Sequence, residues 1–171
     1  ASDKPDLMLP QCFKNVGRGK FVELSSRSLG PYFQKSYLGR TIAVIDWNRD
    51  GRDDACITHL ESPSALLTNR TPPAGHYFAL RLFGVRSSRD AYGAVVEVSA
   101  GGRTWTRPMA AGNGYFASNE RKLVFGLGAA QKIDRVQVRW PSGIKQTLEN
   151  LDADREWLLV EGMSALPAAP E

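Results

Sequence analysis

Beyond residue 75, apolar and polar residues alternate with a period of two in nearly every run, and this is the tightest constraint on what the chain can fold into. Phe78, Leu80 and Leu82 alternate with Ala79 and Arg81; Ala94, Val96 and Val98 with Val95 and Glu97; Val136, Val138 and Trp140 with Gln137 and Arg139. A period of two places one set of side chains on one face of an extended strand. Each run is short and closes on turn residues: Gly84, Gly101-Gly102, Gly112-Asn113-Gly114, Gly126 and Gly128, Pro141-Ser142-Gly143. Short strands in series without helical periodicity predict a β-sandwich or barrel. Leu158 and Val160 point opposite to Trp157 and Leu159, which predicts a last strand covered on both faces.

Ahead of this region the chain carries a different signal. In Asp46-Trp47-Asn48-Arg49-Asp50-Gly51-Arg52-Asp53-Asp54, oxygen-bearing side chains stand at the first, third, fifth and ninth places, and Gly51 stands sixth, where a loop around a cation must turn sharply. Calcium takes six to eight oxygens at about 2.3–2.6 Å, and Asp46, Asn48, Asp50 and Asp54, with the Arg52 carbonyl and water, could supply them. The competing reading is a set of Asx turns in which the carboxylates accept backbone N–H bonds. An EF-hand is excluded, because its twelfth-place Glu is Ile57 here and the flanks are strand-like: Thr41-Ile42-Ala43-Val44-Ile45 and Ala55-Cys56-Ile57-Thr58. Arg49 and Arg52 reduce the local negative charge and point to modest affinity.

Part of this unit recurs. Asp6-Leu7-Met8-Leu9 matches Asp54-Ala55-Cys56-Ile57, and Cys12-Phe13-Lys14-Asn15 matches Leu66-Leu67-Thr68-Asn69. Residues 1–24 therefore read as a partial repeat cut inside its loop and 40–69 as a complete one, which holds the single complete cation loop. Val16-Gly17-Arg18-Gly19-Lys20-Phe21 reads as a turn between strands, and residues 25–39 as a connection. Paired prolines cannot donate to a sheet, so Pro72-Pro73-Ala74-Gly75 divides the first unit, residues 1–71, from a second over 76–162. Residues 163–171, rich in Pro and Ala, read as a disordered tail.

These residues resemble two known families. A strand, D-x-N-x-D-G-x-x-D and a second strand resemble the FG-GAP repeat of integrin-type β-propellers. Residues 76–162 resemble the ASPIC/UnbV domain of the cartilage acidic protein family, on Arg89-Asp90-Ala91-Tyr92-Gly93-Ala94, Gly112-Asn113-Gly114-Tyr115-Phe116-Ala117-Ser118, Phe125-Gly126-Leu127-Gly128 and Trp140-Pro141-Ser142-Gly143, in family order. The chain departs from the family at Ser88, usually Asn, and at Asn119, usually Gln. The resemblance implies an all-β chain: a β-propeller blade fragment followed by a transthyretin-like or immunoglobulin-like β-sandwich. It further implies a structural calcium ion and a non-catalytic adhesion or interaction module, secreted or facing the cell envelope, whose protein or glycan partner it leaves unspecified.

The remaining features mostly exclude. The net charge of +4 comes from scattered Lys and Arg, the pattern of a solvated surface, and predicts no specific nucleic-acid partner. Cys12 and Cys56 have no zinc spacing and lie in apolar runs, which predicts buried thiols. No apolar run reaches the ~18 residues of a membrane span. The amino end, Ala1-Ser2-Asp3-Lys4, has neither an initiator Met nor a signal-peptide layout, so the chain reads as a piece of a longer protein. Gly126-Leu127-Gly128 is not a dinucleotide fingerprint, because Ile133-Asp134-Arg135-Val136 resumes a strand where that motif needs a helix.

Two alternatives of other classes stay open. A glycan-acting enzyme could draw on a pair among Asp134, Glu149, Asp152, Asp154 and Glu156, against the simpler reading of a charged surface. A carbohydrate or polyanion binder could use Arg103, Arg107, Arg121, Lys122, Arg135 and Arg139. Trp105, flanked by Arg103 and Arg107 on one strand face, and Tyr115 are candidate ligand-surface residues; Trp140 reads as core. His59 and His76 have no catalytic arrangement around them in sequence. A propeller cut to one complete repeat also exposes strand edges, which predicts self-association.

Overall fold

The computed structural model describes residues 6–72 and 75–168. Pro73 and Ala74 of the expected boundary lie outside the described residues.

The chain opens on a hairpin, β1 (Phe13–Gly17) and β2 (Lys20–Glu23). Its two central residues, Arg18 and Gly19, both have positive φ (53° and 70°), as a two-residue turn between right-twisted strands requires. The connection expected over 25–39 contains one helical turn, α1 (Ser26–Leu29), and a turn of 3-10 helix at Pro31–Gln34. An antiparallel sheet follows, in the order β3 (Gly39–Ile45), β4 (Asp54–His59), β5 (Ala65–Leu67), with the acidic loop joining its first two strands.

The second unit is built from β6 (His76–Phe83), β7 (Val95–Ala100), β8 (Arg103–Pro108), β9 (Leu123–Gly128), β10 (Lys132–Arg139), β11 (Lys145–Asp152), β12 (Arg155–Val160) and β13 (Leu166–Pro167). They form two four-stranded sheets, β11-β10-β7-β8 and β13-β12-β6-β9, in which β12 and β6 run parallel. Leu166 and Pro167 pair with β12, so part of the expected tail is a strand; residues 169–171 lie outside the described residues.

The two sheets close on one core. Phe78 and Leu80 of β6, Val96 and Val98 of β7, Phe125 of β9, Ile133, Val136 and Val138 of β10, and Leu159 of β12 are each at most 1% exposed. These are largely the residues that the alternation assigns inward, and Trp140 joins them. Each such side chain contributes about 1.5–3 kcal/mol by leaving water, so this unit holds itself together by apolar burial.

The first unit does not. Among the described residues every buried apolar side chain lies between Phe78 and Leu159, and the only buried side chains before them are Asp46 and Asp54. Cys12 and Cys56 are half-buried rather than buried, because no core forms beneath the runs that carry them. One departure from the alternation, on β6, points to how the first unit is seated. Ala79 is 2% exposed although it stands on the outer face of β6, in register with Glu156 of β12 and Val124 of β9. The acidic loop covers this outer face: Gly51 comes so close to the Tyr77 ring that a Cβ there would lie 2.5 Å from its carbons.

Candidate functional site: an acidic loop docked on a buried lysine

The Asp46–Asp54 loop is wound by Asx-type bonds. Asp46 accepts from the Asp50 and Gly51 N–H groups at 3.0 and 3.1 Å, and Asp50 Oδ1 accepts from the Arg52 N–H at 3.0 Å. Arg49 and Gly51 take the positive φ values, 57° and 79°, that let the chain turn inward. Asp54 sits at the exit and accepts from the N–H groups of Trp47 at 3.3 Å and Asn69 at 2.6 Å, which ties the loop to the chain after β5.

Asp46 also reaches the second unit. The ammonium of Lys122, whose side chain is 3% exposed, donates to Asp46 Oδ2 at 3.2 Å. Glu120 Oε2 and Glu156 Oε2 stand 3.4 and 3.6 Å from the same nitrogen. Arg81 pairs with Glu120 at 2.9 Å and Glu156 at 2.5 Å, so two cations serve three carboxylates. Burial pushes the Lys122 pKa down, but the carboxylates of Glu120 and Asp46 outweigh it and hold the ammonium above its ordinary value. Asp53 is exposed at a cleft, and desolvation by the surrounding walls raises its carboxyl pKa, against the pull of Arg107 and with the help of Asp46.

Backbone bonds complete the joint. Val44 donates to Asn119 Oδ1 at 2.9 Å and accepts from the Glu120 N–H at 2.9 Å, while Asp46 N–H donates to Glu120 Oε2 at 3.1 Å. Residues 119 and 120 thereby cover the free edge of β3 with one backbone bond and two side-chain acceptors. Asn119, where the chain departs from the family pattern, makes one of these contacts itself. A cleft of about 330 Å³ opens beside the joint, lined in part by Asp46, Asp53, Arg107, Asn113, Glu120 and Lys122.

The donors fit calcium in chemistry and order, since all are oxygens and each carboxylate oxygen that accepts one N–H keeps a further lone pair. They are not gathered. Asn48 turns its amide nitrogen toward Asp50 at 2.7 Å, Asp50 is drawn to Arg52, and among the described residues no three His, Cys, Asp or Glu side chains converge as a ready-made metal centre.

The other candidates are dispersed. Strand register places Arg103, Trp105 and Arg107 opposite Ala100, Val98 and Val96, on the inward side of edge strand β8. Trp105 packs against the core, and the Arg107 guanidinium lies 5.5 Å from the centre of the Phe125 ring. Arg135 and Arg139 pair with Ser99 and Val95 on the opposite face of the same sheet, and Arg121 binds Asp90 at 2.6 Å. The six basic residues thus do not share one face. Tyr115 is exposed in the loop before β9, with Arg40 stacked 5.5 Å from its ring centre and Phe116 edge-on to it.

Of the acidic candidates, Glu156 joins the lysine cluster, and Asp154 binds His76 at 2.6 Å and the Tyr77 N–H at 3.2 Å. Asp154 is half exposed; slight desolvation works to raise its pKa, but these bonds outweigh it and hold the carboxyl below its ordinary value. Glu149 stands opposite Arg135, while Asp134 and Asp152 are exposed. His59 lies among Tyr32 and Tyr37, hydrogen-bonded to the Tyr32 hydroxyl.

Glu161 escaped sequence reasoning altogether. It is 4% exposed, and its Oε2 accepts the N–H groups of Val85, Arg86 and Ser87, each at 2.7 Å, with the Ser87 and Ser142 hydroxyls on Oε1. Burial works to raise its pKa, but the bonds from Ser142, Ser87 and Val85 dominate and bring it down to about 2. No local pattern marks it, because its partners are far away in sequence.

Fold and joint together define an all-β protein in which a two-sheet unit with its own core carries an acidic hairpin loop docked on one outer face. Residues 84–165, most of that two-sheet unit, match the family model described as ASPIC and UnbV. The match starts after β6 and ends just before β13, so it leaves out the first strand of the 76–162 segment assigned from the four motifs and ends three residues beyond it. No curated protein matches the chain.

Proposed function

We propose that the chain is a non-catalytic interaction module, extracellular or envelope-facing, in which an FG-GAP-type propeller blade with a structural calcium loop is joined to an ASPIC/UnbV sandwich of transthyretin-like or immunoglobulin-like type. The observation that carries it is the three-stranded sheet of the first unit. The row Ile42-Ile57-Ala65 and the row Ala43-Cys56-Leu66 are adjacent and so face opposite ways. Ile42 is 51% and Leu66 52% exposed, so the sheet offers apolar side chains on both faces. A sheet of this kind is completed by cover on both sides, as between neighbouring blades or against a partner.

Calcium, when bound, would contribute charge neutralisation at the loop and no reaction chemistry. The chain's own part is to present Asp46, Asn48, Asp50, the Arg52 carbonyl and Asp54 between two strands of one blade, and Asp46 links that loop to the sandwich. The partner class is a protein or a glycan. A glycan-acting enzyme is a weaker reading, because Glu156, one of its candidate carboxylates, is spent on Lys122 and Arg81.

Sedimentation velocity over a dilution series tests the proposal. The expected result is concentration-dependent association that weakens when Ile42→Lys and Leu66→Lys are combined. A monomer at every concentration would overturn it.

A further inference from the structure

We propose that the cleft of about 330 Å³ between the two units is a carbohydrate subsite, which takes one uncharged pyranose ring through Asp53 of the first unit and Arg107, Asn113 and Asn119 of the second. The site rests on the glycan arm of the partner class proposed above, and it adds the place and the chemistry of recognition.

The cleft is a seam. β3 and the acidic loop supply Val44, Ile45 and Asp53, while the second unit supplies Arg107, Met109 and Asn113. Small-molecule clefts favour such boundaries, and about 300 Å³ is the lower end of their range. The rim is shaped in advance: the loop over residues 112–118 turns on positive φ at Gly114 and Phe116 (70° and 51°), and the Asn113 N–H closes it by donating to the Ala117 carbonyl at 3.2 Å. Arg40 of β3 stacks on Tyr115 of this loop, which holds the loop carrying Asn113 against the first unit.

The polar groups of the cleft are not spent on the protein. Among the described residues the Asp53 carboxylate, the Arg107 guanidinium and the Asn113 amide have no hydrogen-bond or ion-pair partner, and Asn119 uses only its oxygen, on the Val44 N–H. Asp53 and Arg107 attract each other without forming an ion pair. The guanidinium instead lies over the Phe125 ring, 5.5 Å from its centre, which leaves its N–H donors for a ligand.

A neutral, hydroxylated ligand fits this set. Three carboxylates and two cations line the cleft, and Lys122 already serves Asp46 and Glu120, so a phosphate or sulfate would meet a net negative site. A lone cation would meet Arg107. A sugar hydroxyl both donates and accepts: one donates to Asp53 while its neighbour on the ring accepts from Arg107 or Asn119. Val44, Pro108 and Met109 offer apolar surface to the C–H side of the ring. Desolvation raises the Asp53 pKa, and a donating hydroxyl replaces the water that this carboxyl has lost.

The test is an NMR titration of the isotope-labelled full chain with the methyl glycosides of glucose, galactose, mannose and N-acetylglucosamine, with glycine and inorganic sulfate as zwitterionic and anionic probes. The expected result is saturable shifts of the Asn113 and Asn119 side-chain amides with at least one glycoside, at a Kd of about 1–10 mM, the range of a single ring with few contacts. Asp53→Asn and Arg107→Gln should each weaken that binding at least about tenfold, because each removes a hydrogen bond to a charged group. Lys132→Gln, at the exposed start of β10, should bind like the parent. Where Arg107→Gln disturbs the spectrum beyond the cleft, Asp53→Asn decides alone, since Asp53 is exposed and its carboxylate holds no bond in the fold. Shifts with glycine or sulfate and none with the glycosides would overturn the carbohydrate assignment, and so would glycoside shifts that Asp53→Asn leaves unchanged. Silence with every glycoside would remove the subsite and leave the interaction-module reading to the dilution series.

Discussion

Replacing Lys122 by Met in metal-free buffer should cost the protein about 3 kcal/mol. Met nearly matches the Lys side chain in volume, so little packing is lost and the effect isolates the charge. Removing one partner of a buried ion pair costs about 3–5 kcal/mol, because the other charge stays desolvated without compensation. Arg81 still serves Glu120 and Glu156, so the loss falls on Asp46, whose side chain is 3% exposed. Asp46 keeps its two N–H bonds, which puts the expected cost at the lower end of that range. For a chain of this length, about 3 kcal/mol corresponds to a fall in Tm of about 6–12 °C. Chelated samples melted by circular dichroism, with urea unfolding alongside, would measure it. A double-mutant cycle with Asp46→Asn supplies the decisive number: if the two side chains interact directly, the double variant should be less destabilised than the sum by about 2 kcal/mol. A loss under about 1 kcal/mol with additive singles would refute the reasoning, because Asp46 would then be solvated or neutralised by something other than Lys122.

Two further outcomes follow from the same geometry. Glu161 has a folded pKa of about 2, below the ordinary carboxylate value, so its stabilisation is complete above about pH 4.5 and is lost as pH falls toward 2. Glu161→Gln should lower Tm at neutral pH and flatten the acid limb of a Tm-against-pH curve within that window; an unchanged acid limb would place the acid sensitivity elsewhere. Gly51→Ala should destabilise by about 1–3 kcal/mol, through its positive φ of 79° and the contact with Tyr77. In a Tyr77→Ala background only the backbone part, about 1 kcal/mol, should remain, and an undiminished cost would show that the ring is not what the new methyl meets.

The strands of the second unit were legible in the chain because burial on one face imposes a period of two on consecutive residues, a local property. Alternation alone puts Val96 with Val98, and Val136 with Val138, on one face of a strand, and all four are fully buried. The turns were legible for a similar reason, since residues such as Gly19 must supply backbone angles that few others adopt. The spacing of Asp46, Asn48 and Asp50 likewise marked a tight polar loop, because their bonds reach only two to five residues along the chain.

Tertiary structure alone decided which face each acidic or basic residue meets. Lys122 and Asp46 are 76 residues apart, and Glu161 lies 74 to 76 residues from the N–H groups that hold it. No period or motif encodes such pairs, because the energy that selects them comes from desolvation once two separate elements have been packed together. The same cause moved Trp105 from a possible platform to the margin of the core and split the arginines of β8 and β10 between opposite faces. Side-chain type can be read in order along the chain, whereas the charge a residue feels depends on what folding brings above it.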